Sequence, residues 1–216
     1  MAVIKTCIFD LDGVICDTAK YHYQAWRDLA ATLGFDLTPM HDEHMKGVGR
    51  MESLDLILDW AQLSLPYDEK LRLCEQKNNQ FVDLIQTITP ADILPGVETF
   101  IQSVKAQNIK IALGSASRNA STILEKLRIA HYFDAIVDGN TVSKAKPNPE
   151  VFLKGAEATN TPPANCVVFE DAISGIDAAL NAGMYAVGIG NKSILQKAHL
   201  CISTFDGFTV KSLFEL

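Results

Sequence analysis

Residues 8 to 17 read Ile-Phe-Asp-Leu-Asp-Gly-Val-Ile-Cys-Asp and put two carboxylates at the mouth of a buried strand. The apolar run Val3, Ile4, Cys7, Ile8 and Phe9 has the β-branched content of a strand covered on both faces, and Asp10 ends it abruptly. Carboxylates are rarely buried without a partner, so the sequence predicts Asp10 where the strand leaves the sheet, facing a metal or a cation. Gly13 relaxes the backbone after Asp12 and lets the chain aim both acids into one crevice. Two readings stand side by side: a nucleophile at Asp10 with a general acid or base at Asp12, or an ordinary Asp-Gly turn after a strand.

Beyond this stretch the pattern changes twice. Ala19, Tyr23, Trp26, Ala30 and Leu33 recur at helical spacing until Gly34. Leu54, Ile57, Leu58 and Ala61 mark a second helix, and Leu71, Cys74, Phe81, Leu84, Ile85 and Ile88 a third after Pro66. From Pro95-Gly96 onward strands and helices alternate, with strands expected at 109–114, 133–137, 166–169, 185–189 and 200–203. Repeated βα units with short connections imply a parallel sheet covered by helices on both faces. The organisation expected is therefore an α/β core of residues 1–16 and 89–216, with residues 17–88 inserted after the first strand as a helical cap.

In such sheets ligands gather outside the carboxyl ends of the strands. The segment 114–119, Gly-Ser-Ala-Ser-Arg-Asn, offers hydroxyls and amides suited to a phosphate; taken alone it favours Ser115 or Ser117 as the cap of the following helix, and both roles can coexist. Lys146, fixed by Pro147, is a candidate cation for Asp10 or a bound phosphate, whereas Lys144 reads as a solvated surface residue. Glu170-Asp171 ends another apolar run. Two more acids beside Asp10 and Asp12 are costly without a divalent cation, and an all-oxygen set favours magnesium.

The order Asp10/Asp12, Ser115, Lys146, Glu170/Asp171 with Gly175 resembles the four signatures of the haloacid dehalogenase-like phosphotransferases, over essentially the whole chain. That resemblance implies a Rossmann-like core, an aspartyl-phosphate at Asp10, and one Mg²⁺ held by Asp10, the Asp12 carbonyl and Asp171, beside Glu170. The resemblance narrows to the β-phosphoglucomutase family through residues 17–22, Trp26, Lys46-Gly47-Val48-Gly49-Arg50 with Ser53, Lys77-Asn78 and residues 115–119. It implies that His22 partners Asp12, that Arg50 and Lys77 handle the distal phosphate or ring hydroxyls, and that Ala116, Ser117, Arg118 and Asn119 grip from the core side. Trp26, Gly47, Val48 and Ser53 complete the implied substrate site. The implied reaction interconverts β-glucose 1-phosphate and glucose 6-phosphate, primed by glucose 1,6-bisphosphate; a magnesium-dependent sugar-phosphate phosphatase is the alternative. Three positions depart from the subfamily pattern: Arg118 where a lysine is frequent, Gly49 where a serine occurs, and Ala172 where a serine often follows the acids.

Composition sets the bounds. A net charge of −7 argues against nucleic acid as the main partner. No apolar run reaches membrane-spanning length, and Asp10 and Asp12 interrupt any signal-peptide pattern. The five cysteines (7, 16, 74, 166, 201) are scattered, odd in number and never paired as C-x-x-C, so no disulfide framework or zinc site is expected. A cytoplasmic monomer acting on a small sugar phosphate is expected.

Overall fold

Successive side chains of the first strand, β1 (Thr6–Phe9), leave the sheet on opposite faces, and each meets its own layer of helices. Cys7 and Phe9 pack with Val97, Phe100 and Ile101 of α5 (Val97–Ala106) and with Ile123 and Leu124 of α6 (Ala120–Lys126). Ile8 instead packs with Val151 and Phe152 of α7 (Glu150–Ala158) and Ile176 of α8 (Ile173–Asn181). The computed structural model describes residues 3–214.

The remaining strands are β2 (Lys110–Gly114), β3 (Ala135–Val137), β4 (Cys166–Glu170), β5 (Tyr185–Ile189) and β6 (Leu200–Ile202). All pairings are parallel, in the order β3-β2-β1-β4-β5-β6. The chain builds outward from β1 through β2 to β3, then crosses to the other side of β1 to make β4. The direction of winding thus reverses between β1 and β4, where ligand crevices open in sheets of this kind. The register Phe9↔Phe169 makes Asp10 and Glu170 neighbours at that point, and the Asp10 N–H donates to the Phe169 carbonyl at 3.0 Å.

Between β1 and α5 lie four helices: α1 (Ala19–Thr32), α2 (Pro39–Met45), α3 (Arg50–Trp60) and α4 (Tyr67–Leu84). They share a separate apolar cluster around Trp26, Leu29, Leu54, Ile57 and Leu73. The lower end of α4 and its continuation join the sheet-side cluster through Phe81, Ile85 and Ile88. The helical block is therefore seated on the sheet by its base.

The structure alters several details of the sequence reading, among them the third helix, which ends at Leu84 and passes into a 3₁₀ turn over Ile85–Thr87. β1 starts at Thr6, because Val3 lies beyond the sheet and is exposed. β3 is shorter than residues 133–137, since Ala130–Tyr132 forms a 3₁₀ turn ahead of it. Helix α2 is additional, started by Thr38 and His41 in a reciprocal capping box with Pro39 in the first turn. So is the short terminal helix α9 (Val210–Phe214).

At the centre of the sheet, Phe9 stacks on Phe169 with centroids 4.7 Å apart, and Phe100 and Phe205 close the cluster. Phe9→Ala is expected to cost about 3–5 kcal/mol, read by urea unfolding, because the surrounding rings cannot collapse into the gap; a loss under about 1 kcal/mol would contradict this packing.

Candidate active site

The buried Lys146 ammonium donates to Asp10 Oδ1 at 2.6 Å and to Glu170 Oε2 at 2.8 Å. Lys146 reaches the crevice from the long connection between β3 and α7. Burial works against its charge, but the two carboxylates outweigh burial and hold the lysine firmly protonated. Glu170 is fully buried, and its other oxygen accepts the Ala172 N–H at 3.2 Å. Gly175 makes the room: a methyl there would stand 2.0 Å from Glu170 Cδ.

Oxygens of Asp10, Glu170 and Asp171 lie within 4.8 Å of one another. Burial and then the Glu170 charge push the Asp10 carboxyl well above its usual range, with Lys146 opposing. The same two causes raise Asp171 to about 8. Lys46 approaches from the helical block, 2.8 Å from Glu43 and 3.9 Å from Asp171. Three clustered carboxylates face the fully engaged Lys146 and, more distantly, Lys46, which is itself paired with Glu43; the result is an oxygen-only donor set with surplus negative charge, which fits a hard divalent cation such as Mg²⁺. Gly13 shapes the same spot. It has a φ of 81°, and a side chain there would collide with Asp171 Oδ2.

Asp12 points the other way, toward the helices. The Thr18 hydroxyl donates to Asp12 Oδ1 instead of capping α1, and His22 Nε2 lies 3.5 Å from the same oxygen. Burial alone would raise the Asp12 carboxyl, but His22 and Thr18 outweigh it and hold it low. Behind His22, Lys77 Nζ is 2.7 Å from Nδ1. A charged Lys77 can only donate, and a neutral imidazole that accepts it at Nδ1 carries its proton on Nε2, toward Asp12. Burial and then Lys77 lower the His22 pKa, and burial and then Arg50 bring Lys77 down to about 7. The Lys77 ammonium packs over Trp26 at 4.8 Å and Phe81 at 4.9 Å.

A cavity of about 270 Å³ lies between the sheet edge and the helices. Asp10, Asp12, Asp171, Ala116, Ser117 and Arg118 border it from the sheet side. His22, Trp26, Ser53 and Lys77 border it from the helices, and Gly47, Val48 and Arg50 from the loop and helix start between α2 and α3. Ser115, Asn119, Lys146 and Glu170 stand outside this lining. Ser115 is fully buried, and its hydroxyl oxygen accepts the Ser117 N–H at 3.1 Å; Ser117 in turn accepts the Asn119 N–H at 3.3 Å. Neither serine caps α6.

Thr18, Lys46 and Asn78 stood in the quoted motifs without an assigned role, and Ser174 was not named at all. Thr18 orients Asp12, Lys46 faces Asp171, Asn78 accepts from both Arg50 and Asn119, and Ser174 Oγ donates to the Lys46 carbonyl at 2.8 Å. Gly47, with a φ of 70°, lets its loop lie against Ser174 and Lys146. The short interval between Lys46 and Arg50 was the one local signal for Lys46. Thr18 lies only six residues from Asp12, whereas Asn78 and Ser174 depend on contacts distant in sequence.

A family model for haloacid dehalogenase-like hydrolases matches residues 4–183. The β-phosphoglucomutase of Bacillus subtilis (strain 168) is 42% identical over 98% of this chain and 95% of its own length. A crystal structure of β-phosphoglucomutase from Clostridium difficile matches with a TM-score of 0.95 at 46% identity, covering 99% of this chain and 96% of that one. A phosphorylated-carbohydrate phosphatase of Thermotoga maritima is 33% identical over 84% of this chain and 82% of its own. The chain belongs to the haloacid dehalogenase-like hydrolases and, within them, to the β-phosphoglucomutase family. Among the described residues, no helix is long and apolar enough to cross a membrane.

Lys77 gives the site a measurable pH signature. A lysine whose native pKa is depressed to about 7 binds fewer protons folded than unfolded up to about pH 10, so its contribution to stability rises with pH across that window. Urea unfolding of the wild type and Lys77→Met between these pH values is expected to shift in favour of the wild type as pH rises; parallel curves would contradict the buried, depressed amine.

Proposed function

We propose that this protein is a magnesium-dependent β-phosphoglucomutase, interconverting β-glucose 1-phosphate and glucose 6-phosphate through an aspartyl-phosphate at Asp10 and a glucose 1,6-bisphosphate intermediate. The observation that carries this reading is a single cavity joining Asp10 and Asp12 to the guanidinium groups of Arg50 and Arg118. One end suits phosphoryl transfer, and the other suits a phosphate that is held but not transferred. The 42% and 46% identities to β-phosphoglucomutases, each over nearly the full chain, support the same reaction.

In the forward direction the sugar's C6 hydroxyl oxygen attacks the phosphorus of phosphorylated Asp10. Its proton passes to Asp12 and the Asp10 O–P bond breaks, giving the bisphosphate. The bisphosphate turns over in the cavity. Asp10 then attacks the C1 phosphate, the P–O bond to C1 breaks, and Asp12 returns the proton to the departing oxygen. Thr18 and His22 hold Asp12 for both steps, and Lys146 orients Asp10. Ser115 and Lys146 act on the phosphoryl group from the core; Ser117, Arg118, Asn119, Arg50 and Lys77 grip the rest of the substrate. Asp10, Asp171 and the Asp12 carbonyl would hold Mg²⁺, with Glu170 beside them, and the ion supplies charge that neutralises the phosphoryl oxygens.

Residues 17–88 act in this reading as a cap over a core of residues 1–16 and 89–216, excluding water from the phosphorylated enzyme. Two contacts that cross from helices to sheet side support it: Ser174 to the Lys46 carbonyl at 2.8 Å, and Asn119 to Asn78 at 3.0 Å. The reading extends to a cytoplasmic monomer with no nucleic-acid or membrane partner; the −7 net charge supports the exclusion of nucleic acid, and the dispersed cysteines support the compartment.

Purified protein with Mg²⁺, β-glucose 1-phosphate and a trace of the bisphosphate is expected to yield glucose 6-phosphate with little inorganic phosphate. Phosphate release matching substrate loss would instead make it a sugar-phosphate phosphatase. Asp10→Asn is expected to abolish turnover, and retained turnover would refute its role as nucleophile.

A further inference from the structure

Asn78 lies on α4 directly after Lys77, half-buried, and none of the steps above uses it. Its Oδ1 accepts two hydrogen bonds, from Arg50 Nη2 at 2.6 Å and from Asn119 Nδ2 at 3.0 Å. The two donors come from opposite sides of the molecule's cleft: Arg50, in the cavity wall, opens α3 in the helical block, and Asn119, just outside the cavity lining, ends the sheet-side loop that precedes α6. A carboxamide oxygen has two lone pairs, and both are taken. The two donors also fix the orientation of the amide, which is ambiguous without a network.

Electrostatics adds a reason for the contact. Burial and then the Arg118 charge lower the Arg50 pKa, so the two guanidinium groups facing this end of the cavity repel each other. The Asn78 oxygen puts a partial negative charge against Arg50 and pins one of its N–H groups. Arg50 has further N–H groups in a fixed fork, and these stay free for a two-point grip on an anion.

We propose that Asn78 is a positioning residue that ties Arg50 to Asn119, so that the cap seals the phosphorylated enzyme when a sugar bearing a second anionic group draws both together. This rests on the mutase reading and deepens it by assigning the coupling between distal-phosphate binding and water exclusion to one side chain. Without the Asn78 oxygen, two sets of N–H donors face each other across the gap with no acceptor between them. The seal loosens, a water oxygen attacks the phosphorus of phosphorylated Asp10, the Asp10 O–P bond breaks, and inorganic phosphate leaves. The water proton passes to Asp12 or to solvent. The contact of Ser174 with the Lys46 carbonyl, beside the acidic cluster, does not touch Arg50 and cannot replace this coupling.

The test is a double-mutant cycle of Asn78→Ala and Arg50→Ala, read by calorimetric titration of glucose 6-phosphate into the Mg²⁺-loaded protein without bisphosphate primer. Asn78→Ala is expected to weaken binding about tenfold, the scale of one hydrogen bond to a charged group. The double variant is expected to bind no more weakly than Arg50→Ala alone. With β-glucose 1-phosphate and primer, Asn78→Ala is also expected to release several-fold more inorganic phosphate per glucose 6-phosphate formed, with an unchanged unfolding midpoint. Additive binding losses overturn the assignment, and so does a lowered midpoint with binding and phosphate release unchanged. If the wild type itself releases only inorganic phosphate, the mutase reading fails, and the binding cycle still decides whether Asn78 positions Arg50.

Discussion

One constraint governs this molecule: three carboxylates are forced together at the ends of two neighbouring strands, and a single buried lysine answers two of them. The parallel register of β1 and β4 leaves little choice, because pairing Phe9 with Phe169 sets Asp10 beside Glu170. Asp171 follows at once in the chain. At such spacing, away from bulk water, like charges raise one another's pKa strongly, and Asp10 and Asp171 both show it. The surrounding residues keep the acids where they are. Lys146 anchors two of them, the Ala172 N–H fixes Glu170, and the bare Gly13 and Gly175 positions leave Asp171 and Glu170 the volume they need.

A second polar chain runs from Asp12 away from this cluster, through His22 to Lys77, and ends against Trp26 and Phe81. The two acids of one short loop thus have different surroundings. Asp10 is raised by burial and like charge, and Asp12 is held low by donors from the helical block. Separating two carboxylates electrostatically is how a site assigns distinct roles to them. Because the partners of Asp12 are Thr18 and His22 at the start of α1, and His22 is backed by Lys77 of α4, its role depends on where the helices sit over the sheet.

Asp10 and the Glu170-Asp171 pair were legible in the sequence because they end apolar runs, where a charge has no structural excuse, and Asp12 through its place beside Asp10 and Gly13. Lys146 was legible in company with them, since a lone lysine ahead of a proline has many ordinary readings. The sheet was legible from the βα alternation. Helix α2 was not, because Met45 is its one buried residue, so it carries no apolar stripe to detect. Thr18 stands at the start of α1, but its hydroxyl serves Asp12 and does not cap the helix, a role no local pattern marks. Ser174 and Asn78 owe their importance to partners 128, 28 and 41 residues away, a relation that exists only once the chain has folded.

The charge surplus is tested most directly by the unfolding midpoint of the wild type and of Asp171→Asn, each with chelator and with Mg²⁺. Removing one of three crowded charges is expected to raise the midpoint of the metal-free protein, and Mg²⁺ is expected to stabilise the wild type but not the variant. A metal-free midpoint that falls in Asp171→Asn, or a wild type indifferent to Mg²⁺, would contradict the account.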